Sequence, residues 1–185
     1  MSKTKTFLRL FTIADYEEEE QWLRSQHQKG WKLQKIYFPC FYVFEECQPE
    51  DVVYRLDYQN KTQDSNYHRI FEDYGWEYCQ QFMGWFFFRK PVTDSSEPCE
   101  YEIFSDNESR IDMIEHIIKT RMLPIMIIFF TCLLPNFVNT VRYTTSSSFF
   151  FTMLFGVLTV LYVGLVTYCG IKLRRLRAHF DLPPR

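Results

Sequence analysis

A phrase that occurs twice in the first half of this chain constrains its fold more than any other feature. The first copy, KGWKLQKIYFPCFYVFEE, spans residues 29–46, and the second, YGWEYCQQFMGWFFFRKP, spans residues 74–91. In each copy a Gly-Trp pair follows a helical pattern and opens two runs of β-branched and aromatic residues separated by a turn. The repetition predicts a tandem duplication of one structural unit.

The first unit reads as strand, helix, strand, strand. The predicted segments are a strand over 5–11, a helix that begins after Asp15 and ends at Gly30, and a hairpin over 31–37 and 41–46. Asp15 is a good N-cap with a glutamate three positions later, and glycine is the usual residue just past a helix end. The run of four glutamates after Asp15 therefore suits the positive first turn of a helix, which favours a structural reading over a metal or partner site.

The second unit repeats this order. Its predicted segments are a strand over 52–58, a helix that begins near Asn66 and ends at Gly75, and a hairpin over 76–82 and 85–89. Two such units joined edge to edge predict an α+β domain over residues 1–91, with an antiparallel sheet of about six strands and both helices on one face.

The aromatic runs predict that the second face of this sheet is apolar as well. Strict alternation would leave that face wet, but FYVF over 41–44 and WFFF over 85–88 are apolar on both sides. A dimer interface, an internal cover or a groove for a small apolar ligand would each account for this pattern. The candidate ligand or partner surface comprises Arg9, Tyr42, Phe44, Arg55, Asp57, Phe86 and Phe88.

Composition argues against several classes of function. The net charge of -2 and the acidic front half do not suit a nucleic-acid-binding surface. The six cysteines include no Cys-x-x-Cys pair, and the four histidines are isolated in sequence, so no metal site is predicted. The sequence also has no phosphate-binding glycine loop and no nucleophile elbow, so we expect neither a cofactor nor an enzyme.

The second half of the chain has the composition of a membrane anchor. The stretches MLPIMIIFFTCLLPNFV and FFFTMLFGVLTVLYVGLVTYCGI contain no charged residue, and they are long enough to cross a bilayer. The predicted organisation is a polar linker over 92–104, an amphipathic juxtamembrane helix over 105–121, spans over 122–141 and 149–171 around a short external loop over 142–148, and a basic tail over 172–185.

The distribution of cations predicts the topology. The loop between the spans carries only Arg142, whereas seven cations lie on the two outer flanks: Arg110, Lys119, Arg121, Lys172, Arg174, Arg175 and Arg177. The positive-inside rule then places both termini in the cytoplasm of a multi-pass membrane protein. The absence of a secretory signal before the first strand agrees with this topology.

Several motifs in this order resemble one bacterial family, the proteins with Domain of Unknown Function 2812. The motifs are QWL, KGWKL, YVFEE, VVYRLDY, FEDYGWEY, GWFFFRKP and EIFSDNESRIDM, followed by two apolar spans. The resemblance implies a membrane-anchored protein encoded near PadR-type regulators, in an envelope-stress or drug-response setting. It implies no catalytic residue, because the family has no established activity. The duplicated unit is also similar in layout to gyrase-inhibitor-like ligand-binding modules, which is an analogy of fold alone.

Three functional hypotheses follow. In the first, a non-enzymatic cytoplasmic module held at the membrane senses a small apolar ligand or docks a protein partner or a second copy. In the second, the chain is an accessory subunit of a transporter complex and acts through its transmembrane hairpin. A membrane-bound enzyme is the third and least supported class.

Overall fold

The structure is a computed structural model that describes residues 3–59, 65–93, 98–104, 107–142 and 149–180. The chain forms two compact units, Met1–Ser109 and Arg110–Arg185. The first unit is α+β and the second is helical.

The first unit contains the duplicated strand-helix-strand-strand order that the sequence predicts. The first copy consists of β1 (Thr4–Leu8), α1 (Tyr16–His27), β2 (Trp31–Tyr37) and β3 (Phe41–Glu46). The second copy consists of β4 (Val52–Tyr58), α2 (Ser65–Asp73), β5 (Glu77–Phe82) and β6 (Trp85–Pro91), and a short 3₁₀ turn follows at Pro98–Tyr101. The predicted α+β class and the duplication are confirmed.

The six strands are divided between two three-stranded antiparallel sheets, with the orders β1-β3-β2 and β4-β6-β5. The register of β2 shifts between Leu33 and Lys35, and that of β5 shifts at the equivalent place, between Tyr78 and Gln80. Near these shifts β2 and β5 are linked through a side chain, because the Ile36 amide donates to the Gln80 side-chain oxygen over 2.9 Å. The strands therefore form two three-stranded sheets and not the one sheet of about six strands expected from the sequence.

Helix α1 contacts residues of both sheets. On one side, the Trp22 ring lies edge-on to the rings of Tyr42 and Phe44 in the first sheet, with centroids 5.0 and 5.5 Å away. On the other side, the Tyr16 ring stacks on Trp85 of the second sheet, with centroids 5.5 Å apart. The helix therefore fills the core with aromatic contacts, which favour edge-on and offset geometries at these distances.

The opposite face of the second sheet has a core of its own. Val53, Trp76, Phe86 and Phe88 are buried together there. The side chains packed against them come from α2, β5 and the segment after β6: Phe71, Tyr78, Val92, Tyr101 and Ile103. Part of the segment predicted as a polar linker thus completes this core.

The two Gly-Trp pairs occupy equivalent turns. Gly30 and Gly75 have φ angles of 84° and 78°, in the left-handed region that favours glycine just after a helix. At Gly30 the Cys47 carbonyl oxygen also lies 3.0 Å from where a Cβ atom would stand. Asp15 precedes α1 as predicted, but its side chain does not cap the helix; its carboxylate accepts hydrogen bonds from the backbone amide and hydroxyl of Thr12.

Two helices that lie almost wholly in the second unit are long and apolar enough to cross a membrane, Asn107–Arg142 and Phe149–Phe180. The first is built from α3 (Asn107–Ile117), α4 (Leu123–Ile128) and α5 (Leu134–Arg142), joined by π-helical turns at Ile118–Met122 and Phe129–Leu133. The second is α6 (Phe149–Phe180).

Two prolines explain the π-helical turns. A proline ring clashes with the carbonyl four residues earlier and cannot donate to it. For Pro124 and Pro135 those carbonyls belong to Thr120 and Thr131, which both lie inside the widened turns. The widening therefore lets the helix pass each proline without breaking.

Candidate partner-binding surface

The aromatic residues predicted to form an open surface are buried. The exposed fractions of Tyr42, Phe44, Phe86 and Phe88 are 3%, 0%, 2% and 0%. The first two pack against Trp22 of α1, and the last two lie in the core of the second sheet. The prediction of a binding surface on these four side chains is therefore wrong, and internal cover, one of the alternatives considered, is the observed arrangement.

The three predicted polar residues, Arg9, Arg55 and Asp57, have different surroundings. Arg55 forms ion pairs with Glu20 at 3.1 Å and with Glu102 at 2.9 Å. Asp57 is buried and accepts a hydrogen bond from the Gln59 side chain over 3.2 Å. Arg9, which directly follows β1 of the first sheet, is exposed, and its guanidinium lies 5.0 Å from the ring centroids of both Phe11 and Trp22. The structure does not bring Arg9 together with Arg55 and Asp57.

Two glutamates of the acidic run turn into the core. Glu19 accepts a hydrogen bond from the Tyr42 hydroxyl over 2.6 Å, and burial raises its pKa to about 7. Glu20 accepts the Leu56 backbone amide over 2.7 Å, and burial raises its pKa to about 8 although Arg55 favours the charged form. Among the described strands β4 lies at the edge of its sheet, so the Glu20 carboxylate satisfies a Leu56 amide that has no strand beside it there.

A second buried polar group lies near the end of α1. Nδ1 of His27 lies 2.8 Å from the Tyr54 hydroxyl, which is also 3.4 Å from the Leu33 amide. Burial lowers the pKa of His27 to about 4, so the imidazole is neutral near pH 7. These contacts bind α1 to β2 and β4. Within the described ranges no group of three or more His, Cys, Asp or Glu side chains is arranged to hold a metal ion.

Apart from Ile70, Tyr74 and Met83, which lie on or just after α2 and between β5 and β6, the exposed large apolar residues described in the first unit gather at one end of the first sheet. We name them the hairpin patch, because they lie at the end of β1 and around the turn between β2 and β3. The patch comprises Leu8, Leu10, Tyr37, Phe38 and Phe41, with exposed fractions of 63%, 77%, 51%, 76% and 40%.

The strand register explains why these side chains meet. Leu8 and Tyr37 are both register partners of Phe41, from opposite sides, so the three side chains stand in a row on one face of the sheet. That face is opposite to the one that packs on α1, because Tyr42 and Phe44 occupy the alternate positions of β3. Phe38 lies in the turn, where its bond to Pro39 is cis.

A cationic side chain lies beside the hairpin patch, because the ammonium group of Lys35 lies 5.1 Å from the centroid of the Tyr37 ring. On the opposite face of the same sheet, the ammonium group of Lys5 lies 4.6 Å from the centroid of the Phe7 ring. Contacts of this type are typical of Lys and Arg near aromatic faces. An apolar centre with a cationic margin favours binding of a partner that is apolar and acidic.

A sequence signal for the hairpin patch was present in IYFPCFY over 36–42. The aromatic runs correctly indicated that β3 is apolar on both faces, but the candidate list took Tyr42 and Phe44 from one face and left out Phe41 from the other. Alternation alone cannot tell which face of an apolar strand the helix will cover. The exposed face is fixed by the position of α1, which is a tertiary feature.

Comparison with known proteins identifies a family without giving an activity. No curated protein and no solved structure matches the chain. The model of one family, described as "Protein of unknown function (DUF2812)", matches residues 15–128, which is more than half of the chain. This range includes α1, the hairpin of the first sheet, the whole second sheet and the start of the first long apolar helix. The chain belongs to the DUF2812 family.

Proposed function

We propose that this chain is a membrane-anchored, non-enzymatic module whose α+β unit docks a protein partner in the cytoplasm. The observation that carries the proposal is the hairpin patch, where five large apolar side chains are 40% to 77% exposed on one sheet. Single exposed apolar residues are ordinary on protein surfaces, but contiguous ones typically mark an interaction site. Among the other large apolar residues described in this unit, only Ile70, Tyr74 and Met83 are similarly exposed, and they belong to the second copy.

The anchor in this proposal is the pair of long apolar helices. Seven cations lie at the outer ends of these helices and Arg142 is the single cation at their inner ends, which supports a topology with both termini in the cytoplasm. A tether of this kind raises the local concentration of the docking unit near other membrane proteins. The link to a PadR-type regulator, implied by the family resemblance, belongs to the same proposal as its biological setting.

The test is quantitative affinity purification of the full chain from native membranes in mild detergent. We compare the wild type with Tyr37→Ser/Phe38→Ser and with the matched control Ile70→Ser/Tyr74→Ser, which changes two residues of the same unit that are 55% and 71% exposed. We expect a partner protein to co-purify with the wild type and the control, and to be depleted about tenfold or more with the patch variant.

A different outcome would favour the accessory-subunit hypothesis. The Tyr162 hydroxyl of α6 donates to the Ile125 carbonyl of α4. Co-purification that is equal for all three proteins, and that is lost when Tyr162→Phe removes this contact, would place the interaction on the helices of the second unit. In that case the hairpin patch would not be the docking site.

A further inference from the structure

In the described part of the chain, the outer edge of β1 is open. β1 is the first strand in the order β1-β3-β2, and there it pairs with a strand on one side only. The Arg9 amide donates to the Cys40 carbonyl, and the Lys3 carbonyl accepts from the Glu46 amide. The odd-numbered residues of this segment therefore direct their backbone groups towards β3. In an antiparallel pair the residues between them direct their amides and carbonyls away from the partner strand. Thr4, Thr6 and Leu8 therefore direct their backbone groups outwards.

This edge continues into the hairpin patch. The side chains of Thr4, Thr6 and Leu8 lie on the same face as Phe41 and Tyr37, because Leu8 is the register partner of Phe41. A strand added beside β1 would place alternate side chains next to Leu8 and so extend the apolar row. Exposed edges of this type bind extended peptides through main-chain hydrogen bonds, with specificity supplied by alternate side chains.

The two faces of β1 have different chemistry. The face that carries Thr4, Thr6 and Leu8 is apolar or neutral, whereas Lys3, Lys5 and Arg9 occupy alternate positions on the other face. Among the residues that the structure describes, Lys5 and Arg9 contact aromatic rings and form no ion pair with a carboxylate. A bound strand is therefore favoured when its side chains alternate between acidic and apolar.

The same charges disfavour a second copy of this chain as the bound strand. Antiparallel pairing of two β1 strands centred on Thr6 would set Lys3 opposite Arg9 of the other copy, twice in the dimer. Like charges directly opposite one another destabilise a strand pair.

We propose that β1 is a docking edge for an extended segment of the partner, in which acidic residues face Lys5 and Arg9 and apolar residues face Leu8 and the hairpin patch. This inference rests on the proposed function and adds the mode of binding and the chemistry of the bound segment. The partner's segment extends the first sheet by one strand.

The first test uses a fluorescent nine-residue peptide of alternating Glu and Val, with the full chain in detergent micelles and fluorescence polarisation as the readout. Two further peptides carry N-methyl groups, one on every Val and the other on every Glu. Successive amides of a strand point to opposite sides, so only one methylation pattern removes the hydrogen bonds to β1. We expect one of the two peptides to bind at least about tenfold more weakly than the parent. Equal affinities for the two methylated peptides would overturn the proposal.

A charge exchange tests the cationic face. The Lys5→Glu/Arg9→Glu variant should bind the Glu-Val peptide about tenfold more weakly than the wild type does, and a matched Lys-Val peptide more tightly. An unchanged preference for the Glu-Val peptide would contradict the assigned orientation. If the wild type binds no peptide, the cations on β1 serve only to protect the edge from aggregation, and the proposal fails.

The Thr6→Pro variant separates this inference from the proposed function. It removes one outward amide and leaves the ladder to β3 intact, a position where edge strands tolerate proline. Circular dichroism and thermal melting of the full chain serve as the control that the variant is folded. We expect Thr6→Pro to deplete the co-purified partner as Tyr37→Ser/Phe38→Ser does. Wild-type recovery with Thr6→Pro, together with loss in the patch variant, would refute strand addition while leaving the docking function in place.

Discussion

At the scale of single residues, the main surprise is the use of charged groups inside the first unit. The run of four glutamates is readily predicted as the start of a helix, but Glu19 and Glu20 turn into the core. Glu20 accepts the Leu56 amide and pairs with Arg55, which also reaches Glu102. Glutamate is predicted to be exposed from its sequence pattern alone. Glu20 has a buried partner because α1 packs against the edge of β4, which is a contact between residues far apart in sequence.

Protonation of Glu20 should make the first unit more stable in mild acid than in mild base. The pKa of Glu20 is raised from 4.5 to about 8, so between these values the folded state binds more protons than the unfolded state. Stability then falls as the pH rises through this window and levels off above about pH 8. Glu20→Gln should therefore lose less stability between pH 5.5 and pH 8 than the wild type does. Urea unfolding at several pH values measures this difference.

The exposed Glu18→Gln variant is the control for the pH experiment and should follow the wild type. His27 acts in the opposite direction at lower pH. Its pKa is lowered to about 4, so stability is lost as the pH falls from about 6.5 towards that value. If Glu20→Gln and the wild type lose the same stability between pH 5.5 and pH 8, the pKa of Glu20 is not raised by burial.

The two tryptophans of the Gly-Trp pairs should differ in their contribution to stability. The duplication predicts equivalent buried positions, but the exposed fraction of Trp76 is 4%, whereas Trp31 is only half-buried, with the Lys5 ammonium 5.5 Å from its ring centroid. Trp76→Ala should cost about 3–5 kcal/mol of unfolding free energy, and Trp31→Ala clearly less. Chemical denaturation of the two variants tests this order, and equal costs would show that the two sites are equally packed.

Among the secondary-structure elements, the two strand-helix-strand-strand copies are well predicted from the sequence, and the packing of their helices on the sheets is predicted less well. Gly-Trp pairs, helical spacing and aromatic runs identified β2, β3, β5 and β6 and their duplication. Which face of each sheet a helix covers, and where the strands bulge, depends on contacts far apart in sequence. The open edge of β1 and the exposed Phe41 are therefore features that only the assembled first sheet reveals.

The first long helix makes a specific contact with the second. The Tyr162 hydroxyl donates to the Ile125 carbonyl, and the Tyr162 ring stacks on Phe129 with centroids 5.0 Å apart. Tyr162→Phe keeps the ring and removes the hydrogen bond, so we expect a loss of about 0.5–2 kcal/mol in detergent. Thr159→Val, which affects a hydroxyl bonded within its own helix, is the matched control. A thermal melting curve for Tyr162→Phe that coincides with the wild type would show that the bond contributes nothing.

At the scale of the whole molecule, the distribution of cations predicts a membrane topology. In sequence, position 147 lies between the two apolar helices and position 94 lies between β6 and the 3₁₀ turn; both fall outside the described residues. In a cysteine-free background, an impermeant maleimide added to intact cells should label Ser147→Cys and spare Asp94→Cys. Lysed cells should label both positions. The reverse pattern in intact cells would place the α+β unit outside the cytoplasm.

Site-specific photo-crosslinking in living cells shows directly whether the hairpin patch contacts a protein partner. A benzophenone amino acid replaces Phe38 in one version of the full chain and Tyr74 in another, since these aromatic residues of the same unit are similarly exposed, at 76% and 71%. We predict a discrete crosslinked protein from position 38 that weakens at least about tenfold when Thr6→Pro is added, and no such product from position 74. Identical crosslinking from both positions, or none from position 38, would contradict the account.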